Sequence, residues 1–136
     1  MMSEEETQRY ADQQAKLFAQ RPIESRYALA TIGSKTVRGG RVVSASTTIE
    51  VNHRRVACVG DMVRYPDGGE SKIISGAGFA AAYSGNPLAI VGSHIENGDT
   101  IIDSFQENAY VIQYADAAPI SGLLEADYFP VVDDEI

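Results

Sequence analysis

A five-residue phrase occurs three times in the chain, as Ala30-Thr31-Ile32-Gly33-Ser34, Ala57-Cys58-Val59-Gly60-Asp61 and Ala89-Ile90-Val91-Gly92-Ser93. Each copy has alanine first, a β-branched apolar residue third, glycine fourth, and serine or aspartate last. A phrase that recurs with its order kept indicates an internal repeat, and this repeat predicts the fold of the whole chain.

The residues that follow each phrase are repeated as well. The glycine-containing pairs are Gly39-Gly40, Gly68-Gly69 and Gly98-Asp99, and the apolar pairs are Val42-Val43, Ile73-Ile74 and Ile101-Ile102. The first and third copies align at a constant offset of 59 residues, whereas the second copy has extra residues around Tyr65-Pro66-Asp67. The residues that define the repeat are Gly33, Gly39, Gly40, Gly60, Asp61, Gly68, Gly69, Gly92 and Gly98.

Between Ala28 and Ser104 the pattern is typical of β-structure. Alternating residues at 47–51 and 79–83 predict strands, and the turn residues at 52–54 and 84–87 predict hairpins. An isolated hairpin is marginal in water, so the units must pack together, with the apolar pairs inside and the glycines at sharp reversals. We expect an all-β fold, a small pseudo-threefold cone of short strands and hairpins, in which the three reversals form a narrow tip.

The segments on either side of the repeats predict other structure. Residues 3–21 resemble a helix with a capping box at Ser3 and Glu6, ended by Pro22; a solvated leader and a docking helix for another protein both fit. Residues 105–136 contain no copy of the repeat, and we expect a strand at 110–114 and a short helix at 121–128. The predicted organisation is a helical extension (1–27), a repeat cone (28–104) and an irregular C-terminal extension (105–136).

Composition excludes several classes of protein. A net charge of −8 argues against a nucleic-acid partner, and a single cysteine excludes an internal disulfide. No apolar run is long enough to span a bilayer, and the acidic N-terminus does not have the pattern of a signal peptide. We therefore expect a cytoplasmic protein without a membrane segment.

From Ala28 to Ser104 the chain resembles the PAAR-repeat proteins, which form the spike tip of type VI secretion systems and related contractile injection devices. The family phrase Pro-Ala-Ala-Arg-Val-Gly-Asp is matched by residues 55–61 and 87–93, and residues 36–44 look like the family's opening His-Gly-Gly segment. The resemblance implies a cone that sits on a trimeric VgrG spike with one copy per trimer, links an effector or adaptor protein to it, and leaves the cell on the spike. It also implies a structural protein and not an enzyme.

Many members of this family hold zinc near the tip through His and Cys ligands. The matching positions here are Arg38, Tyr65, Asp67 (or Gly68) and Asn97. Only Asp67 is of a type that binds zinc, which requires about four N, S or O ligands. We therefore expect no metal and no other cofactor, and a tip held by hydrogen bonds and packing.

Other chemistry-bearing residues have simpler interpretations. We interpret His94 and His53 as surface or turn residues, Cys58 as a small, partly buried apolar residue, and Asp61 as a turn residue that bonds nearby amides. Alternative functions are the tip of a phage tail or extracellular contractile particle, a small toxin or hydrolase active in residues 105–136, and a β-rich ligand-binding module. The identity of an effector and the residues that contact the spike are not readable from the sequence.

Overall fold

A computed structural model describes residues 3–19 and 21–130, and it contains one α-helix and nine short strands in that part of the chain. The elements in chain order are α1 (Glu4–Ala19), β1 (Ile23–Ala28), β2 (Arg41–Val42), β3 (Glu50–Val51), β4 (Arg54–Arg55), β5 (Met62–Arg64), β6 (Glu70–Lys72), a one-turn 3-10 helix (Gly78–Ala80), β7 (Ala82–Tyr83), β8 (Asn86–Pro87) and β9 (Tyr110–Tyr114). The strands form small antiparallel sheets, which confirms the predicted all-β class. None of the helices in the described residues is long and apolar enough to cross a membrane.

The first residues of the three phrases bond to one another in a closed ring. The amide of Ala30 donates to the carbonyl of Ala89 at 2.8 Å, that of Ala89 to Ala57 at 2.9 Å, and that of Ala57 to Ala30 at 3.0 Å. All three alanines are fully buried. Three segments can approach this closely only where side chains are small, and the ring places the phrases in equivalent positions around one axis.

The last four residues of each phrase form the same turn. The last residue donates its amide to the carbonyl of the second at 2.9–3.0 Å, in the pairs Ser34–Thr31, Asp61–Cys58 and Ser93–Ile90. The glycine before it has a φ of 94°, 100° or 103° in the three copies, as a type II turn requires at its third position. The side chain of the last residue then accepts the amide of the second, at 2.9–3.0 Å in all three copies. The phrase is therefore the sequence of one turn, used three times.

The hairpins after the phrases are also joined in rotation. Val43 of the first repeat donates its amide to Met62 of the second, Ile74 of the second to His94 of the third, and Ile102 of the third to Lys35 of the first, all at 2.9 Å. The second hairpin, β5–β6, is two residues longer on each strand than the other two. The extra residues predicted around 65–67 therefore lengthen one hairpin and leave the threefold pattern intact.

Three two-stranded pairs lie at the other end of the phrases, and we call them the base. They are β3–β4, β7–β8 and β1–β9. Ile49, Ala81 and Ala109 occupy equivalent positions in them, because each accepts the amide of the residue before a phrase alanine. The predicted strand at 110–114 is thus confirmed, and although it has no repeat in its sequence, it supplies the third pair of the base. The predicted boundaries at 27/28 and 104/105 stay a prediction, and the β1–β9 pair joins segments from both extensions.

Two apolar layers fill the interior. The layer on the side of the alanine ring away from the base contains the first residues of the apolar pairs. Its fully buried members are Ala30, Val42, Ala57, Val63, Ile73, Ala89, Ile95 and Ile101. The layer on the base side is built from Leu29, Val56, Cys58, Ala77, Leu88, Ile90 and Val111. The prediction that the apolar pairs supply the interior is confirmed for the first residue of each pair, whereas Ile102 is 54% exposed.

Two local predictions are wrong. Residues 121–128 form turns instead of a helix, because Gly122, Leu124 and Asp127 have φ values of 74°, 58° and 62°, which a right-handed helix cannot contain. The strands predicted at 47–51 and 79–83 are shorter than expected, because only Glu50–Val51 and Ala82–Tyr83 are strands. Phe79 lies in the 3-10 helix and is 68% exposed. The predicted hairpin turns are confirmed at Asn52-His53 and Ser84-Gly85, where both central residues have positive φ. The acidic end at 131–136 lies outside the described residues.

Candidate functional site at the apex

The three glycine turns meet at the end of the molecule opposite the base, and we call residues 36–40, 65–69 and 95–99 the apex. Each turn is closed by a glycine amide: Gly39 donates to Thr36 at 3.2 Å, Gly68 to Tyr65 at 2.8 Å and Gly98 to Ile95 at 2.8 Å. The glycines have φ values of 83°, 88° and 93°. The three turns are equivalent in backbone structure, and they differ in the side chains that they bring together.

All four residues predicted at the tip line one open depression of about 480 Å³. Arg38 comes from the first turn, Tyr65 and Asp67 from the second, and Asn97 from the third. The three turns thus bring these four side chains to one surface. Their match to the metal-ligand positions of the family stays a prediction.

A fifth residue, Asp99, connects the three turns. It is 2% exposed, and its carboxylate accepts the Tyr65 hydroxyl at 2.7 Å and the Arg38 amide at 3.2 Å. It also accepts the amide of Thr100 at 2.8 Å. One carboxylate therefore contacts all three repeats, and sequence reasoning did not include it among the tip residues.

The sequence did carry a signal for Asp99. Gly40 and Gly69 occupy the equivalent position in the other two turns, since Thr36, Tyr65 and Ile95 each donate an amide to the carbonyl of the residue at that position. The third copy thus has aspartate where the others have glycine. The position is buried at Gly40 and Asp99 and exposed at Gly69. A single polar exception in a repeated position points to a role that only one copy performs.

The remaining apex side chains hold neighbouring backbone. The guanidinium of Arg38 donates to the carbonyl of Asn97 at 3.0 Å, and the side-chain oxygen of Asn97 accepts the amide of Asp99 at 3.0 Å. Asp67 accepts the amide of Gly69 at 2.8 Å within its own turn. The side chains of Asp67 and Asn97 therefore each support their own turn, whereas Arg38 joins the first turn to the third.

The ionisation of Asp99 and Tyr65 follows from their contacts. Burial alone would raise the pKa of Asp99, but hydrogen bonds from Thr36 and Tyr65 and from the backbone hold this pKa below its ordinary value. Burial, together with the hydrogen bond to Asp99, raises the pKa of Tyr65. At neutral pH, Tyr65 is thus a protonated donor and Asp99 an ionised acceptor.

Tyr65 fits at the apex because Gly40 leaves room for it. A Cβ atom at residue 40 would lie 2.6 Å from Cγ1 of Val63 and 2.7 Å from Cε1 of Tyr65. Real Cβ atoms do not approach other carbon atoms so closely. Glycine at this position is therefore required by packing of the second repeat against the first.

These residues do not fit the zinc site that the family resemblance implies. The guanidinium of Arg38 occupies one of the matching positions, and a fixed cation there repels a second one. The carboxylate of Asp99 is already engaged by donors from three directions. Within residues 3–19 and 21–130, no group of three or more His, Cys, Asp or Glu side chains could hold a metal ion.

A second buried carboxylate, Asp61, lies in the phrase of the second repeat. It accepts the hydroxyl of Ser46 at 2.6 Å and the amides of Ser46 and Cys58, both at 2.9 Å. Burial would raise the pKa of Asp61, but these hydrogen bonds and one from Ser44 lower it below the ordinary value. The geometry matches the interpretation of Asp61 as a turn residue that bonds nearby amides.

Cys58 and the two histidines have no catalytic arrangement in the described residues. Burial and the adjacent Asp61 raise the pKa of the Cys58 thiol to about 12, so the thiol is protonated and unreactive at neutral pH. His53 is exposed in the β3–β4 turn, and His94 is exposed at the start of the third hairpin. The histidines lie where the sequence placed them, whereas Cys58, at 1% exposure, is more buried than expected.

Comparison with protein families gives a match that spans the repeats. The family model for the PAAR motif matches residues 32–103, just over half of the chain. No curated protein sequence matches the chain.

Proposed function

Because the chain belongs to the PAAR-motif family of spike-tip proteins, we propose that it caps a trimeric VgrG spike of a type VI secretion system and links effector cargo to that spike. The observation that carries the proposal is the closed ring of hydrogen bonds among Ala30, Ala57 and Ala89. A single chain with threefold backbone symmetry can make similar contacts with all three subunits of a trimer, which a chain without that symmetry cannot.

The base is the better candidate for the docking surface. Ile49, Val51 and Tyr83 are half-buried apolar residues there, packed on the base-side layer. The phenol of Tyr83 lies 3.3 Å from the hydroxyl of Thr48, which links two of the three strand pairs at this end. The apex, by contrast, is formed by narrow glycine turns with polar side chains, which suits the leading point of a spike. Burial of the half-exposed apolar residues against the spike would stabilise the complex.

The N-terminal helix is the proposed attachment point for cargo. Residues 3–13 of this segment are exposed, and its first turn carries Glu4, Glu5 and Glu6. Most helices in proteins are stabilised by packing one face on a partner surface. A partner with a basic surface would complement this turn, and an effector or adaptor is the partner that the proposal requires.

The proposed role is mechanical, without catalysis. In the described part of the C-terminal segment, Ile120, Leu123 and Leu124 pack against the base-side layer. The amide of Phe79 donates to the carbonyl of Ser121 at 2.8 Å, and that of Leu124 to Gly76 at 2.8 Å. These contacts give the segment a role in covering the cone, which favours a structural part over a toxin or hydrolase domain.

Stoichiometry tests the docking proposal. The full chain is mixed with a candidate VgrG trimer, and the complex is measured by native mass spectrometry. One copy per trimer is expected, because the symmetry axis of the chain must coincide with that of the spike. Three copies per trimer would overturn the proposal, and binding only to a phage or extracellular-particle spike would assign the chain to that system instead.

A matched pair of substitutions tests which end docks. Val51→Glu places a charge in the base, and Val37→Glu places the same charge at the apex, where Val37 is 64% exposed. Val51→Glu should weaken spike binding by about tenfold or more, since a charge must then be desolvated in the interface. Val37→Glu should leave binding unchanged. Residue 51 is half-buried, so a second variant, Thr48→Glu, places the charge at an exposed position of the same end. Loss of binding with Val37→Glu alone would mean that the apex docks on the spike.

Removal of residues 1–20 tests the role of the helix. This deletion retains Arg21, which bonds Asp116 at 2.9 Å and lies over the ring of Tyr114. Spike binding should persist while co-purification of the cargo is lost. Loss of spike binding would place the helix in the docking surface instead.

A further inference from the structure

We propose that the apex is locked by the Asp99 carboxylate, which performs without a metal ion the joining of three repeats that the family resemblance assigns to zinc. The lock is the set of hydrogen bonds by which Asp99 of the third repeat holds Tyr65 of the second and Arg38 of the first. It is a property of the isolated chain, so it does not depend on the identity of the spike.

The geometry of Asp99 supports a joining role. Its two oxygens are used separately: Oδ2 accepts the Tyr65 hydroxyl at 2.7 Å, and Oδ1 accepts the amides of Arg38 at 3.2 Å and Thr100 at 2.8 Å. Hydrogen bonds to a carboxylate are stronger than those between neutral groups. At 2% exposure the side chain is shielded from competing water. A carboxylate with these contacts restrains all three turns at once.

The length of the second hairpin makes the lock possible. Tyr65 is equivalent to Thr36 and Ile95 in the backbone pattern of the turns, but it lies two residues further along its hairpin because β5 and β6 are longer. The phenol can therefore reach across to the third repeat, and Gly40 provides the space beside the ring. The extra residues, the glycine at 40 and the aspartate at 99 thus all contribute to the contact between Tyr65 and Asp99.

Arg38 closes the arrangement from the first repeat. Its guanidinium donates to the carbonyl of Asn97 and lies beside Gly98, where Nη2 is 3.5 Å from the position of a Cβ atom. The cation covers the turn that carries Asp99. This placement supplies a positive charge at the apex from the protein itself, where a zinc site would require the position to be free for the metal.

The experiment compares three variants of the full chain by thermal unfolding. Tyr65→Phe removes only the hydroxyl, and Asp99→Asn removes the charge with little change of shape. Asp67→Asn is the control, because the Asp67 side chain accepts the amide of Gly69 within its own turn. Tyr65→Phe should lower Tm by about 3–6 °C, as expected for the loss of one buried hydrogen bond to a charged group. Asp99→Asn should lower Tm further, and Tyr65→Phe should have a smaller effect in the Asp99→Asn background, because the hydroxyl then bonds a neutral amide instead of a carboxylate. The control should unfold at the wild-type temperature.

Metal dependence is measured on the same wild-type protein. Elemental analysis should find far less than one zinc per chain, and neither EDTA nor added zinc chloride should change Tm. Stoichiometric zinc or a lower Tm in EDTA would overturn the proposal. The proposal would also fail if the Tyr65→Phe and Asp99→Asn variants had the same Tm as the Asp67→Asn control. If Asp99→Asn does not fold, Tyr65→Phe alone decides, because its ring still fills the space beside Gly40.

Discussion

The alanine ring and the apex both follow the threefold repeat of the backbone, but they differ in whether the three equivalent side chains are identical. In the ring the three equivalent positions carry the same residue, and each alanine makes the same hydrogen bond to the next. At the apex the equivalent positions are Gly40, Gly69 and Asp99, and only the third bears a functional side chain. The difference shows at which positions the repeats of a pseudo-symmetric chain must have the same residue. Residues that meet on the axis must all be small, whereas a site reached by all three copies needs its key group only once.

The largest expected effect concerns the layer beside the alanine ring. Ile73 is fully buried there, and Ile73→Ala should lower the free energy of unfolding by about 2–5 kcal/mol through lost apolar contact and a residual cavity. Urea denaturation measures this loss. The matched control is Ile102→Ala, since Ile102 is 54% exposed in the equivalent pair of the third repeat. Equal losses in both variants would mean that the layer does not dominate stability.

The pH dependence of stability separates buried carboxylates from exposed ones. The folded-state pKa of Asp61 lies below its ordinary value, so its contribution is present above the unfolded-state pKa and is lost as the pH falls through the folded-state pKa. Asp61→Asn should lower the free energy of unfolding at neutral pH by about 1.5–3 kcal/mol. The difference from wild type should shrink in strong acid, which urea denaturation across the acid range can measure. Asp103→Asn, at an exposed position, is the control, and a constant difference at every pH would contradict the assignment.

A smaller effect on stability is expected at Arg54, which contacts both the first phrase and Phe105. The guanidinium of Arg54 lies 4.9 Å from the centroid of the Phe105 ring and donates to the carbonyl of Ile32 at 3.1 Å. Arg54→Lys keeps the charge but loses the planar group, and it should cost about 0.5–1 kcal/mol in chemical denaturation. Arg55→Lys, on the same strand, should change nothing. A loss from Arg55→Lys as large as that from Arg54→Lys would mean that the stacking on Phe105 does not contribute.

The smallest effect on global stability is expected at the N-terminal helix. Ser3 accepts the amide of Glu6 at 3.2 Å as the helix cap. Ser3→Ala should weaken the helix by about 1 kcal/mol and reduce its far-UV circular dichroism signal. The unfolding midpoint of the cone should not move, because residues 3–13 are exposed. A shift of that midpoint would show that the helix is packed on the cone, and it would weaken the comparison between ring and apex as the two sources of stability.

The failures of sequence-based prediction share a physical cause. Residues 121–128 have ordinary helical composition, but contacts with a distant segment impose left-handed backbone: Gly78 lies directly against the backbone of Ser121–Leu123, and Leu124 bonds Gly76. In the sequence Asp99 stands out only as the second residue of the glycine-containing pair Gly98-Asp99. Its partners Tyr65 and Arg38 are 34 and 61 residues away along the chain, and a local pattern carries no information about contacts at that distance.

The sequence by itself determined the repeated unit. Alanine is required where three segments meet on the axis, and the turn requires glycine at positive φ and a serine or aspartate acceptor. From the repetition we also expected three such units around one axis, and the family resemblance pointed to Arg38, Tyr65, Asp67 and Asn97 as residues of one end. Only the tertiary structure decided that strand Tyr110–Tyr114 completes the base and that Asp99 joins the apex. Turn chemistry is local and can be read from neighbouring residues, whereas strand pairing and a shared carboxylate depend on which distant segments the folded chain brings within bonding distance.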